Sequence, residues 1–165
     1  MTAEPLSGRQ DWAVLGLGRA GRTFSRRLAA LGSLGYAWTR GVTPDNGQTH
    51  PDVVAVRQVG GTPHIPPPIT HVVVAATDQA IPSVARAAAM SLAPGQQCVW
   101  LHLSGGSDPG LLGDLPGHRG GCHPLQSLRG TVEDDAALAG AFFAVDGDAP
   151  GIAAATWLAA QLGGR

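Results

Sequence analysis

Lysine is absent: the eleven basic residues of the 165-residue chain are all arginines. That excludes a Walker-type phosphate lysine, a Schiff-base lysine and a lysine general acid. Charge of either sign is sparse, at 14% of residues and a net −1, with no basic run, so nucleic acid is not an expected partner. No apolar run approaches the roughly 18 residues of a membrane span, so no membrane partner is expected. The opening MTAEPLSGRQ lacks a basic region followed by an apolar core; it does not read as a secretory leader, and a cytoplasmic protein is expected. Only two cysteines occur, Cys98 and Cys122, in apolar surroundings without C-x-x-C spacing, which reads as buried free thiols. The six histidines show no paired ligand spacing, so no metal site is expected.

What is present is a chain with 44% apolar residues and 24 glycines, long enough for one domain with a packed core. It is organised around residues 11–40. The apolar Trp12-Ala13-Val14-Leu15 leads into Gly16-Leu17-Gly18-Arg19-Ala20-Gly21. A helical period follows in Phe24, Leu28 and Leu31, then a turn bracketed by Gly32 and Gly35, then the strand-like Tyr36-Ala37-Trp38-Thr39. Strand, glycine-rich turn, helix and strand in that order form the βαβ unit that binds dinucleotides. Gly16 allows the sharp exit from the strand, Gly18 leaves room for a diphosphate at the backbone, and Gly21 lets the helix pack closely. The phosphates would rest on free N–H groups at the positive end of the helix. With so many glycines a bare GxGxxG is weak evidence; the flanking strand and helix strengthen it. The alternative is the same turn in an α/β protein without a ligand.

The rest of the chain continues the alternation. Residues 1–10 read as a flexible lead-in and 41–51 as a loop. A short helix is expected from Asp52 to Gln58, a third strand near Thr62, strands at 71–76 and 97–103, and a helix at 81–92. A short helix within 108–115, strands at 121–123 and 141–145, and a last helix at 149–162 follow. The expected fold is α/β: a single domain over 11–165 with a doubly wound, mostly parallel Rossmann-type sheet and helices on both faces. GLGRAG, Thr39-Arg40, Ala76-Thr77-Asp78, Ser104-Gly105-Gly106 and His123-Pro124 all fall at carboxyl ends of strands, where such sheets bind ligands.

An acidic residue at the end of the second strand usually holds the ribose hydroxyls of NAD; here that place holds Thr39-Arg40. An arginine fork pairs with a 2′-phosphate that a carboxylate would repel, so NADP (as NADPH) is expected rather than NAD. Arg19 and Arg22 stand ready to add to phosphate binding. The alternative for Arg40 is an ordinary surface arginine.

In this order GLGRAG, AATDQAI (75–81), HLSGG (102–106), CHPLQSL (122–128) and FFAVDGD (142–148) resemble Rossmann-like proteins of the 6-phosphogluconate-dehydrogenase-like superfamily. Within it the chain looks most like a group of NADP-dependent oxidoreductases similar to pyrroline-5-carboxylate reductases and coenzyme F420-dependent NADP reductases. The resemblance covers about residues 11–164. Related proteins often have Val-Pro-Asp where this chain has Ala76-Thr77-Asp78. The group also continues into a C-terminal helical domain that forms a homodimer and closes the substrate pocket. The sequence here stops at Arg165, which reads as either a fragment or a cofactor module without that partner domain.

The resemblance implies hydride transfer between NADP and a small carbonyl, imine or hydroxyl substrate. The expected cofactor contacts are Gly16, Leu17, Gly18, Arg19, Ala20, Gly21, Thr39, Arg40, Ala76, Thr77, Asp78 and Ser104. His123 is the first candidate for proton handling, histidine being the side chain suited to proton transfer at physiological pH, and Ser104 is the second. Prephenate dehydrogenases of the same superfamily carry a similar serine and His-Pro pair, in which the histidine accepts a substrate hydroxyl. Each has a structural alternative: His123 as a loop-holding histidine, Ser104 as a turn hydroxyl, Asp78 as the cap of the next helix, Gln126 as a loop residue. The local HLSGG lacks the GxSxG of a nucleophile elbow, which sets aside a serine hydrolase. The alternative function is a non-catalytic nucleotide-binding sensor or scaffold.

Overall fold

A computed structural model describes residues 11–41 and 49–165. The expected lead-in over 1–10 and most of the loop over 41–51 lie outside the described residues. The strands are β1 (Trp12–Leu15), β2 (Leu34–Thr39), β3 (Arg57–Val59), β4 (His71–Val74), β5 (Cys98–His102), β6 (Gly117–Pro124) and β7 (Phe143–Gly147). The helices are α1 (Arg19–Ala30), α2 (Pro51–Ala55), α3 (Ile81–Ala89), α4 (Asp134–Leu138) and α5 (Ala149–Gln161), with a 3-10 turn at Pro109–Leu112. The seven strands form one sheet in the order β3-β2-β1-β4-β5-β6-β7. All neighbours are parallel except β6 and β7, which run antiparallel.

Strand alternation sends successive side chains to opposite faces, and both faces are buried. Trp12, Val14, Val73 and Leu101 pack beneath α1 and α5 with Phe24, Leu28, Ala155 and Leu158. Ala13, Leu15, Val72, Val74 and Trp100 pack on the other face with Ile81, Val84 and Ala88 of α3. The expected doubly wound, mostly parallel sheet is therefore the observed one. Trp12, Trp38 and Trp100 are core residues, and both cysteines are buried free thiols. Burial pushes the thiols up, to about 11 for Cys98 and about 12 for Cys122. Such thiols are poor nucleophiles.

Helix α1 ends in a Schellman motif: Gly32 takes φ +67°, its N–H bonds Ala29 O at 2.9 Å, and the Ser33 N–H bonds Leu28 O at 2.9 Å. Helix α5 starts on Asp148, whose carboxylate accepts the Gly151 N–H at 2.9 Å.

Several boundaries differ from the sequence reading. Helix α2 stops at Ala55 and is capped by the His50 ring, which accepts the Asp52 N–H; Asp52 is not the cap. The chain then needs residues 57–59 to pair with β2, so the third strand is Arg57–Val59 and not near Thr62. Strand β6 begins at Gly117, four residues before the expected start, because it pairs along all of β5. Strand β7 lies two residues later than expected, set by its pairing of Pro124 with Phe143. Helix α4 was not expected at all.

Candidate functional site

Strand β1 has β2 on one side and β4 on the other, so the connections leaving β1 and β4 diverge and open a crevice at their carboxyl ends. The turn after β1 is dictated by its glycines. Gly16 has φ +102°, its N–H bonds Trp38 O at 2.7 Å, and a Cβ there would stand 2.6 Å from Ala75 O. Gly21 lies so close to the Gly16 carbonyl that a Cβ would overlap it. Gly18 differs from both. It is the N-cap of α1 at φ −71°, with no side chain capping the helix and no acidic residue in its first turn. Nothing lies within 4 Å of where its Cβ would be. The absent side chain leaves space at an uncapped helix N-terminus, the arrangement that suits a diphosphate.

That space belongs to a cavity of about 460 Å³. Gly18, Arg19 and Ala20 form one side and Ala75, Ala76 and Thr77 after β4 form the floor. Leu103, His123, Pro124 and residues 126–128 line the rest of it. Arg19 is exposed at its edge, a cation beside the helix start.

His123 sits on β6 between this cleft and a second cavity of about 80 Å³. Its Nδ1 is 2.8 Å from the Leu103 carbonyl, which can only accept, so Nδ1 carries the hydrogen. In the neutral ring Nε2 then keeps a free lone pair, and it packs against Gly105 so tightly that a Cβ on that residue would overlap it. His123 is thus held by a backbone bond and also faces both cavities; the two readings of it coexist. Ser104 is buried and lines the smaller cavity, not the large cleft. Its hydroxyl accepts the Gly106 N–H at a long 3.4 Å, the turn role weighed above. The loop 104–106 folds over β6 and brings Ser104 and His123 to the same small cavity.

The other candidates are placed as follows. Leu17 turns its side chain into the core, so only its backbone faces the turn. Thr39 and Arg40 end β2 beside the turn but do not line the cleft; Thr39 Oγ1 donates to Gly41 O at 3.0 Å and Arg40 is exposed. Arg22 Nε donates to Leu17 O at 3.2 Å, which ties that guanidinium to the turn itself. Asp78 is exposed and does not cap α3, contrary to expectation. The N-cap is Ala80, no side chain caps it, and the Thr77 carbonyl instead accepts from the N–H groups of Ala80 and Ile81.

Sequence reasoning missed the support for the loop that follows the cleft-lining residues 126–128. Asp134 is buried at the start of α4. Its carboxylate accepts the Gly130 N–H at 2.7 Å, the Arg129 N–H at 3.1 Å and the Thr23 hydroxyl of α1 at 2.8 Å. Burial by itself works to raise its pKa, but these bonds and one from the Thr131 backbone outweigh it and hold the carboxyl below the usual range. The loop after residues 126–128 is thereby fastened to the helix whose N-terminus faces the cleft. A Thr131-x-x-Asp134 spacing before an alanine-rich run was the available signal. Another histidine, His102, is buried; burial pushes its pKa down against the pull of the Asp146 carboxylate and the Asp108 backbone.

No protein-family model and no curated protein matches the chain. Solved structures do. A candidate NADP oxidoreductase from Bacteroides fragilis superposes on 93% of this chain and 58% of its own, at a TM-score of 0.67 and 14% identity. The fold is Rossmann-type. Prephenate dehydrogenase from Aquifex aeolicus matches 94% of this chain and 60% of its own, with a TM-score of 0.62 and 13% identity. A second structure of that enzyme contains hydroxyphenyl propionate and NAD+. Arogenate dehydrogenase from Synechocystis matches 93% and 57%, with a TM-score of 0.59 and 16% identity. This chain therefore spans about three-fifths of the length of the structures it matches.

Proposed function

We propose that this chain is the NADP(H)-binding domain of an oxidoreductase that moves a hydride to or from a small carbonyl, imine or hydroxyl substrate. The observation that carries the reading is the open space at Gly18, at the uncapped start of α1, continuous with a cleft that runs along the strand ends to His123. The names of the structural neighbours, which include two dehydrogenases and a structure with NAD+, support the same class.

In this reading the backbone N–H groups of residues 18–20 hold the diphosphate, and Arg19 adds charge at the rim. Arg40, exposed at the end of β2 with no acid in its place, pairs with the 2′-phosphate and favours NADP over NAD. Ala76 and Thr77 form the surface beneath the nicotinamide end. The bound dinucleotide supplies the hydride chemistry. His123 manages the proton: its Nδ1–H is spent on Leu103 O, so Nε2 is the atom that accepts or returns it. Ser104 helps to hold the substrate oxygen or nitrogen from the smaller cavity.

Titration of NADPH and NADH by fluorescence, with Arg40→Ala alongside, tests the assignment. NADPH binds more tightly, and Arg40→Ala lowers NADPH affinity by about tenfold while leaving NADH unchanged, the weight of one charge-assisted contact. Tighter NADH binding reverses the cofactor assignment, and binding of neither removes the function.

A further inference from the structure

Beyond the cleft, the small cavity between loop 104–107 and strands β6 and β7 has a charge of its own. It is lined by the hydroxyl-bearing Ser104 and Ser107, by His123, by Ala144 and by Asp146. The strand register explains how these meet. His102 on β5 pairs with Gly121 on β6, which pairs with Asp146 on β7, so the three occupy one row across the sheet. Cross-strand partners point to the same face. Gly121, the middle member, has no side chain, and a Cβ there would overlap Asp146 Oδ1. The carboxylate therefore reaches over the glycine and lines the cavity, while the residue stays exposed on the edge strand.

Among the described residues, no hydrogen bond or ion pair occupies this carboxylate. No arginine lines the cavity, and the chain has no lysine to offer. The two histidines nearby do not neutralise it. His123 gives its one neutral-ring hydrogen to Leu103 O, and burial pushes the His102 pKa down against the pull of Asp146. An anion that lines a cavity of about 80 Å³ together with two hydroxyl-bearing side chains matches a small group that is positively charged and rich in N–H donors.

We propose that this cavity is a subsite for a cationic nitrogen, with Asp146 as its anchor, so that the ligand class is a small molecule carrying an ammonium or amidinium group. Ser104 and Ser107 accept its remaining hydrogens. The subsite deepens the functional reading above, because His123 borders both cavities and places such a group next to the reacting end of the cleft. The link to hydride transfer rests on that reading; the charge recognition does not. Asp146 then sets specificity by rejecting substrates that bring a carboxylate or a bare hydrocarbon to this place.

The probe is ethylammonium chloride, added to the 15N-labelled full chain without dinucleotide, with 1-propanol and sodium acetate as neutral and anionic counterparts at matched ionic strength. Ethylammonium shifts the amides of residues 104–107, 121 and 144–146 saturably, and the two counterparts do not. Asp146→Asn weakens the effect by about tenfold, the loss expected for one charge-assisted contact. Asp146 is on an exposed edge strand, so the variant keeps its dispersed spectrum, and its NADPH affinity stays that of the parent. Equal shifts with propanol, shifts spread over the surface, or an Asp146→Asn variant that binds as well as the parent overturn the subsite. Failure of NADPH to bind while ethylammonium still maps to these amides sinks the dinucleotide reading and leaves the subsite standing.

Discussion

Adding one methyl group at either of two glycines in the same turn separates folding from binding. At Gly18 the structure has open space for a Cβ and an ordinary backbone conformation, φ −71°. Gly18→Ala therefore folds with stability within about 0.5 kcal/mol of the parent, the small loss of N-cap preference being offset by a less flexible unfolded chain. On the proposed function, the methyl points into the space that the diphosphate takes. It holds the phosphates off the α1 amides, and each charge-assisted bond lost costs about 1.5–3 kcal/mol, so NADPH affinity falls by roughly 10- to 100-fold. Gly21→Ala does the opposite. Its methyl overlaps the Gly16 carbonyl, a backbone atom in a turn that also abuts Ala75. Helix and strand must part, at a cost of about 3 kcal/mol or more. For a chain of this size that lowers Tm by roughly 6–12 °C. Thermal melts and NADPH fluorescence titrations of the two variants form one experiment. Gly18→Ala binding NADPH as the parent does refutes the diphosphate position, whatever its Tm. Gly21→Ala melting with the parent refutes the packing.

The remaining predictions concern protons and the loop that Asp134 ties to α1. Burial lowers the His71 pKa to about 4 from 6.5, so the unfolded chain binds a proton that the folded chain refuses in that window. Stability is full above pH 6.5 and declines as pH falls toward 4, by about 2–3 kcal/mol from this ring. Tm measured against pH shows that slope, and it flattens in His71→Phe; NMR titration that finds the ring protonated near 6.5 contradicts it. Asp134→Ala strands the amides of Arg129 and Gly130 and the Thr23 hydroxyl in a buried place, costing about 3–5 kcal/mol. Hydrogen exchange at Gly130 accelerates accordingly. Because the carboxyl is held below its usual range, its contribution is present at neutral pH and is lost only as pH falls through that lowered value. His123→Ala abolishes turnover yet leaves NADPH affinity within about twofold, since the backbone amides carry the binding; unchanged turnover removes His123 from the proton path.

How much of this was legible in the sequence depends on which physical signal each part carries. The βαβ unit announces itself because the apolar run, the glycine spacing and the helical period are all local. The continuous run over 71–76 marked a strand buried on both faces, and β4 occupies its first four residues, His71–Val74. Strands β3, β6 and β7 were misplaced because their limits come from pairing, which no local pattern records. Gly117 to Gly121 of β6 contains three glycines, yet it pairs along β5. The site divides in the same way. GLGRAG and His123 are read from motifs, whereas Asp134 acts through partners in α1 and the preceding loop. The separation of Ser104 from the large cleft required the fold of loop 104–106.

One more consequence comes from three rings. Trp157 of α5 stacks on Trp12 of β1 at 5.2 Å, and Trp12 stacks on His71 of β4 at 4.5 Å, all within 18° of parallel. Two indoles held this close couple their strong far-ultraviolet transitions, so the far-ultraviolet circular dichroism of this protein carries an exciton contribution of their own. That contribution exists only once the last helix has settled on the first strand. It is a built-in spectroscopic reporter of that docking, and it needs no added label.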